Sequence, residues 1–424
     1  MFDFNQVNND CVKCGKCKPT CTIFDIEHDE SYSPRGFIDL LGAIDRGELE
    51  WDKNTKDIFE SCFLCTNCVE MCPNDLPVDT IIEQARRELA QKYGLAWYKR
   101  LFFWLLRHRN IMDFAAKMGY VFQSCGLKIN ADREMATTRS LPFVKHTRAT
   151  PFAKSKSFLN TYPENIPSAN ASPKPQKVAI FIGCFANYAY TDIGSSLVDI
   201  LKSLDIDIFI PKDQLCCGAP AYFTGDFDTV EFLIKKNITY FEEFLDEVDA
   251  VLIPEATCSA MVKEDWERFF YNDPEWQQRA KKVKAKIFMA TEWLNNHTDL
   301  NNKLAKSNKK FTQTITYHDP CHARKVLGVY KEPRELISQN YTIKEMSNSN
   351  VCCGFGGITM QTEKYHLAKI AGEKKAKIIE DAGADIVSAE CSACRMQITN
   401  SLHQEGSKVD FKHPLELISE GLHA

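Results

Sequence analysis

Two runs of one form, Cys11-Val-Lys-Cys14-Gly-Lys-Cys17-Lys-Pro-Thr-Cys21 and Cys62-Phe-Leu-Cys65-Thr-Asn-Cys68-Val-Glu-Met-Cys72, constrain the fold more than any other feature. Each reads C-x2-C-x2-C-x3-C. Three thiolates at this period on a tight loop cap three corners of an iron–sulfur cubane, and the fourth, displaced cysteine reaches the cluster of the other run. The spacing predicts one 4Fe-4S cluster on Cys11, Cys14, Cys17 and Cys72, and a second on Cys62, Cys65, Cys68 and Cys21. Such a crossing obliges the two loops to fold against each other. Structural zinc is the lesser alternative, because it is usually held by two C-x2-C pairs rather than three cysteines at this period. One departure is visible: Pro73 follows Cys72 as the pattern expects, whereas Cys21 is followed by Thr22, with Pro19 displaced upstream.

Helices separate the runs. Ser33-Pro34-Arg35-Gly36 leads into Phe37, Ile38, Leu40, Leu41 and Ile44 at helical spacing. After Pro77, Asp79 offers an N-cap, Ile81, Ile82, Ala85 and Leu89 line one face, and Gly94 is a stop. Residues 1–95 are therefore expected to form an α-helical domain. Seventeen of the 18 cysteines fall in spaced groups, and the remaining one, Cys125, is expected to be a buried small hydrophobe. The N-terminus carries no basic stretch followed by an apolar run, so the thiols are expected in a reducing cytoplasm. A net charge of -5 and a pI near 6.1 exclude a nucleic-acid binder.

Residues 96–139 carry a basic-aromatic helix, with Phe102, Phe103, Trp104, Leu105 and Leu106 bracketed by Lys99, Arg100, Arg107 and Arg109. It is too short to span a bilayer. Core packing is preferred over docking on a partner or a membrane interface. Residues 140–176 read as a linker spaced by Pro142, Pro151, Pro163, Pro167, Pro173 and Pro175.

The rest is a diverged duplication. The apolar run Val178–Ile182 ends at Cys184, and the run Thr314–Tyr317 leads to Cys321, at an offset of 137 residues. Cys216-Cys217-Gly218 and Cys352-Cys353-Gly354 repeat at 136, and Cys258 and Cys391 at 133. Ala250–Ile253 and Ala384–Val387 read as buried strands that close just before cysteine groups, with helical patterns between. Two α/β units with mainly parallel sheets are predicted, at residues 177–300 and 301–424, with cysteines beyond the carboxyl ends of strands where ligands gather. The five thiols between Cys321 and Cys394 indicate a metal–sulfur site. Adjacent cysteines strain to chelate one zinc alongside a C-x-x-C pair, whereas a cluster spreads them over several irons. Gly354-Phe355-Gly356-Gly357 fails as a dinucleotide loop because Thr359 breaks the fingerprint, and its glycines are expected to let backbone approach the cluster.

These motifs resemble known families over nearly the whole chain. The tandem runs separated by helices resemble the α-helical ferredoxin module of fumarate reductases. The later pattern resembles the cysteine-rich (CCG) domain of heterodisulfide reductase B and D subunits. The two-copy arrangement behind a ferredoxin module resembles the C subunit of anaerobic glycerol-3-phosphate dehydrogenase and the iron–sulfur subunit of glycolate oxidase. Carried over residue by residue, the resemblance implies a cluster on Cys321, Cys352, Cys353, Cys391 and Cys394. The first copy matches at Cys184, Cys216, Cys217 and Cys258, with Met261 where a fifth thiol is expected. A thioether is a poor iron-cluster ligand. A four-ligand cubane, a non-cubane cluster lacking one thiolate, and no cluster all remain open there. His318, Asp319 and His322 flank Cys321 and are expected to satisfy strand-end backbone.

The resemblance further implies an electron-transfer oxidoreductase subunit: two 4Fe-4S clusters in the ferredoxin domain, and one or two further clusters, non-cubane 4Fe-4S among the options. A flavoprotein partner would oxidise glycerol-3-phosphate or a 2-hydroxy acid such as glycolate or lactate, linked to quinone or a membrane-anchor subunit on the inner face of the cytoplasmic membrane. The alternative is a catalytic subunit that cleaves a disulfide at the Cys321–Cys394 cluster.

Overall fold

The computed structural model describes residues 4–131, 133–139, 148–169, 176–307, 309–357 and 363–423. The N-terminal module is helical, and none of its described residues up to 95 is in a strand. Ser33 starts the Pro34–Asp45 helix by accepting from the Gly36 amide, with Pro34 in the first turn, where its missing N–H costs nothing. Gly36 is required there, since a Cβ would meet the Glu30 carbonyl oxygen at 1.9 Å. The Lys53–Glu60 helix begins with a reciprocal cap between Asp52 and Thr55. Phe37, Ile38 and Leu41 pack on Ile58, Phe59, Ile81, Ile82, Ala85 and Leu89 to form the core of the module.

Next comes a helical hairpin, Trp97–Arg107 and Arg109–Gly126. Core packing does not hold for it: the first helix buries only Phe103 and Leu106, and the second buries none of its residues. Trp97, Leu101, Trp104, Phe114, Val121 and Phe122 are all exposed. Cys125 is exposed as well, contrary to the expected buried hydrophobe. Residues 127–139 are not helical. They form β1 (Leu127–Asn130) and β2 (Met135–Thr138), which with β3 (Ala149–Thr150) make a small antiparallel sheet.

Of the expected linker, residues 140–147 and 170–175 lie outside the described residues. The remainder is more than a spacer. Phe158 and Leu159 are buried in the core of the first copy, and β4 (Asn165–Ile166) adds an antiparallel edge strand to its sheet.

That sheet has the order β4-β6-β5-β7-β8, with β5 (Lys177–Ile180), β6 (Asp207–Phe209), β7 (Ala250–Ile253) and β8 (Ile287–Met289) all parallel. The second sheet runs β10-β9-β11-β12 and is wholly parallel, built from β9 (Thr314–Tyr317), β10 (Thr342–Ile343), β11 (Ile386–Ser388) and β12 (Asp410–Lys412). All four residues of β7 are buried, as expected of a parallel strand covered on both faces. The copies share one apolar core in which Val178, Ile180 and Leu252 join Tyr317, Ile386 and Leu417. Among the described residues no helix is long and apolar enough to cross a membrane.

Candidate iron–sulfur centres

In the N-terminal module the two cysteine loops follow the same backbone path. Lys13 and Gly15 have φ of 56° and 76°, and the residues at the same places in the second loop, Leu64 and Thr66, have φ of 49° and 57°. These left-handed turns fold the chain tightly enough to aim successive thiols inward. Cys11, Cys14, Cys17 and Cys72 line one small cavity, and Cys21, Cys62 and Cys65 line another, with Cys68 bordering both. Burial and the neighbouring Cys62 and Cys65 push the Cys68 thiol well up.

The second copy gathers Cys321, Cys352, Cys353, Cys391 and Cys394, all buried. Cys353 and Cys394 Sγ are 3.3 Å apart, and the Gly354 amide donates to Cys352 Sγ at 3.4 Å. Gly356 has another role than the one expected: at φ 45° it presses on the N-terminal module, where a Cβ would meet Phe63 O at 2.6 Å. Position 359 lies outside the described residues. Cys352 also packs in one cluster with Cys65 of the N-terminal module, and its proximity holds the Cys65 thiol below its usual range. Lys325 spans the same junction, donating to Cys65 O at 3.1 Å and to Asn67 Oδ1. Its charge lies near Cys321, Cys65 and Cys352.

Asp319 accepts from Arg324 and Arg334 at 2.6 Å each and from Ser349, so it organises the strand end. His322 stacks on Phe223 of the first copy, with centroids 5.5 Å apart.

In the first copy Cys217 and Cys258 Sγ lie 3.3 Å apart, and Cys184 and Cys216 line one small cavity beside them. Trp266 Nε1 donates to Cys217 O at 2.9 Å and Asn237 Nδ2 to Cys216 O at 3.0 Å, which fixes the Cys-Cys turn. The register differs from the one expected. β7 and β11 are offset by 136 residues, and so are the helices that follow them, Ala256–Ala260 and Ser392–Gln404. Glu255 is the N-cap of the first and Cys391 of the second. Cys258 therefore corresponds to Cys394, as the two 3.3 Å thiol pairs also require. Glu255, and not Met261, stands where a fifth thiol would be. Matching Cys-Ser-Ala at 258–260 to Cys-Ser-Ala at 391–393 slides the copies by three residues, nearly one helical turn. Met261 is fully buried against Gly218.

The Glu255 carboxylate crosses to the other copy. It accepts from the Ser392 amide at 2.7 Å and from the Ser392 hydroxyl, and burial pushes its pKa up to about 7. A Glu255→Cys variant is expected to change the electron paramagnetic spectrum that depends on Cys216, because it adds a thiol at the register of Cys391. Met261→Cys adds one at the register of Gln397 and should leave that spectrum as it is; the opposite pattern would restore the 133-residue offset.

The donor set fits iron–sulfur clusters. Lys375 is wholly buried and donates to the carbonyls of Ser349 (3.0 Å) and Asn348 (3.5 Å). Burial pushes its pKa down to about 8, and the opposing charges that act on it most are Cys353, Cys321 and Cys394, ahead of Asp319. A buried ammonium costs several kcal/mol unless anions offset it, and thiolates bound to iron would supply most of that charge here. Soft sulfur donors in this number select iron–sulfur clusters, which supply one-electron chemistry when bound.

Comparison with known proteins agrees. A 4Fe-4S dicluster domain matches residues 8–76, and a cysteine-rich domain matches twice, at residues 178–263 and 315–399. A dicluster module joined to a duplicated cysteine-rich domain defines the class, an iron–sulfur oxidoreductase subunit. The chain is 30% identical to the "Probable glycolate oxidase iron-sulfur subunit" of Bacillus subtilis over 97% of its length and 93% of the relative's. It is 26% identical to a component of the fumarate reductase (CoM/CoB) of Methanothermobacter marburgensis, covering 96% of this chain and 71% of that one. "Lactate utilization protein A" of Halalkalibacterium halodurans is 30% identical over 57% of this chain and 96% of its own. The chain belongs to the family of the glycolate oxidase iron-sulfur subunits.

Proposed function

We propose that this protein is the electron-transfer subunit of a multi-subunit dehydrogenase whose flavoprotein partner oxidises a 2-hydroxy acid such as glycolate or lactate. Hydride chemistry needs a flavin to divide an electron pair into single electrons, and the protein around the clusters sets their potential and spacing. The observation that carries this reading is the junction at which Cys65 packs in one cluster with Cys321 and Cys352 and Lys325 donates to Cys65 O at 3.1 Å, which joins the dicluster module directly to the duplicated one. Ligands would be Cys11, Cys14, Cys17 and Cys72; Cys62, Cys65, Cys68 and Cys21; the five thiols of the second copy; and Cys184, Cys216, Cys217 and Cys258 in the first. The exposed hairpin, with Trp97, Trp104, Phe114 and Phe122 beside exposed Arg100, Lys117 and Lys128, suits an anionic lipid surface on the side of the quinone acceptor.

Anaerobic purification is expected to give iron and acid-labile sulfide in about equal amounts, co-purification with a flavoprotein, and sedimentation with anionic vesicles. Zinc without sulfide would sink the reading. A second reading, disulfide cleavage at the second copy, is favoured by its complete five-thiol set. Turnover of a disulfide by the reduced protein, lost in Cys353→Ser, would establish it.

A further inference from the structure

His318 ends β9 by donating its amide to Ser388 O at 2.9 Å, and its side chain is completely buried. The ring Nδ1 lies 3.0 Å from the Ser349 carbonyl oxygen. A carbonyl can only accept, so Nδ1 carries the proton, and the neutral ring is left with a bare lone pair on Nε2. Among the described residues no nitrogen or oxygen bonds Nε2. The ring's donor atom instead shares a space with Cys353 and Cys394 Sγ, all three within 4.8 Å of one another. An imidazole oriented through Nδ1–H to a carbonyl, with its other nitrogen among thiols, has the form of a metal ligand whose tautomer is fixed from outside.

The first copy sharpens the point. β5 and β9 are offset by 137 residues, which places Phe181 at the position of His318. Phe181 is fully buried in an apolar cluster, so this place in the fold needs only an aromatic ring to pack. The nitrogen in the second copy is therefore surplus to packing.

We propose that His318 Nε2 is a nitrogen ligand to iron in the second-copy centre. The second copy then has a mixed sulfur–nitrogen donor set and the first copy has sulfur alone. The inference rests on the reading that the second copy holds an iron–sulfur centre. A neutral ligand adds no negative charge, and imidazole ligation raises the potential of iron–sulfur clusters, so the second-copy centre has a higher potential with His318 bound than without it.

The test uses the full chain, reconstituted anaerobically and labelled with 15N-histidine, and pulsed electron paramagnetic spectra of the signal that Cys353→Ser abolishes. Strong nitrogen coupling that responds to the label is expected. It should vanish in His318→Phe, which keeps a ring the first copy accommodates, and in His318→Gln, which keeps a polar group; the potential should fall in both. A Cys353-dependent signal with no strong histidine coupling, or coupling that survives His318→Phe, overturns the proposal while leaving the electron-transfer reading intact. Absence of any Cys353-dependent signal overturns both.

Discussion

Replacing Lys375 with methionine is expected to lower the reduction potential of the second-copy centre by on the order of 100 mV. The ammonium is fully buried, and the opposing charges that act on it are those of Cys353, Cys321 and Cys394, followed by Asp319. At an effective dielectric constant near 20, a unit charge at a separation on the order of 5–10 Å contributes roughly 2–3 kcal/mol, which is on the order of 100 mV for a one-electron couple. Methionine keeps the stem and removes the charge, so the reduced, more negative centre loses more than the oxidised one. Lys374→Met is the control, because that lysine is exposed and pairs with Asp25. Redox titration followed by electron paramagnetic resonance decides, and equal shifts in the two variants would remove Lys375 from the site.

Arg86→Leu is expected to unfasten the N-terminal module from the first copy. The guanidinium is buried and donates to Phe59 O at 2.9 and 3.1 Å, to Cys62 O at 2.6 Å and to Phe223 O at 2.7 Å. Leucine leaves three buried carbonyls with a lost partner each, at about 1–3 kcal/mol apiece, so a loss of at least about 3 kcal/mol is expected. The denaturation midpoint of the holoprotein should drop, and the signal that depends on Cys62 should be lost first. A change under about 1 kcal/mol, within the range of ordinary surface substitutions, would show that Gly225 against the Arg86 backbone and Gly356 against Phe63 hold the junction without the side chain.

Much of this architecture can be read from the residues, and what escapes does so for physical reasons. The tandem runs, the helical spacing of Phe37, Ile38 and Leu41, and the paired apolar runs before Cys184 and Cys321 are local signals, and the helices and strands form accordingly. The hairpin misleads because its aromatic spacing is the same whether the face meets a core or solvent; only tertiary packing distinguishes Phe103 from Phe102. β4 hides in a proline-rich stretch, since a two-residue edge strand has no periodicity to detect. Glu255 escapes because identical letters, Cys-Ser-Ala, outweigh the count from the strand end. His318 is visible but indistinguishable from a histidine that merely satisfies backbone until Phe181 is found in its place. Lys325, Lys375 and the junction of Cys65 with Cys352 depend on long-range contacts that no spacing rule captures.

The bond from Glu255 to Ser392 also bears on how independent the two halves are. In the first half the position of the fifth thiol is held by a carboxylate that steadies the helix carrying Cys394 in its sibling. Placing a thiol there would release Ser392 and disturb the half that has all five. The asymmetry therefore couples the halves: the position that lacks a thiol in the first is part of the scaffold of the second, and it cannot be changed without touching both.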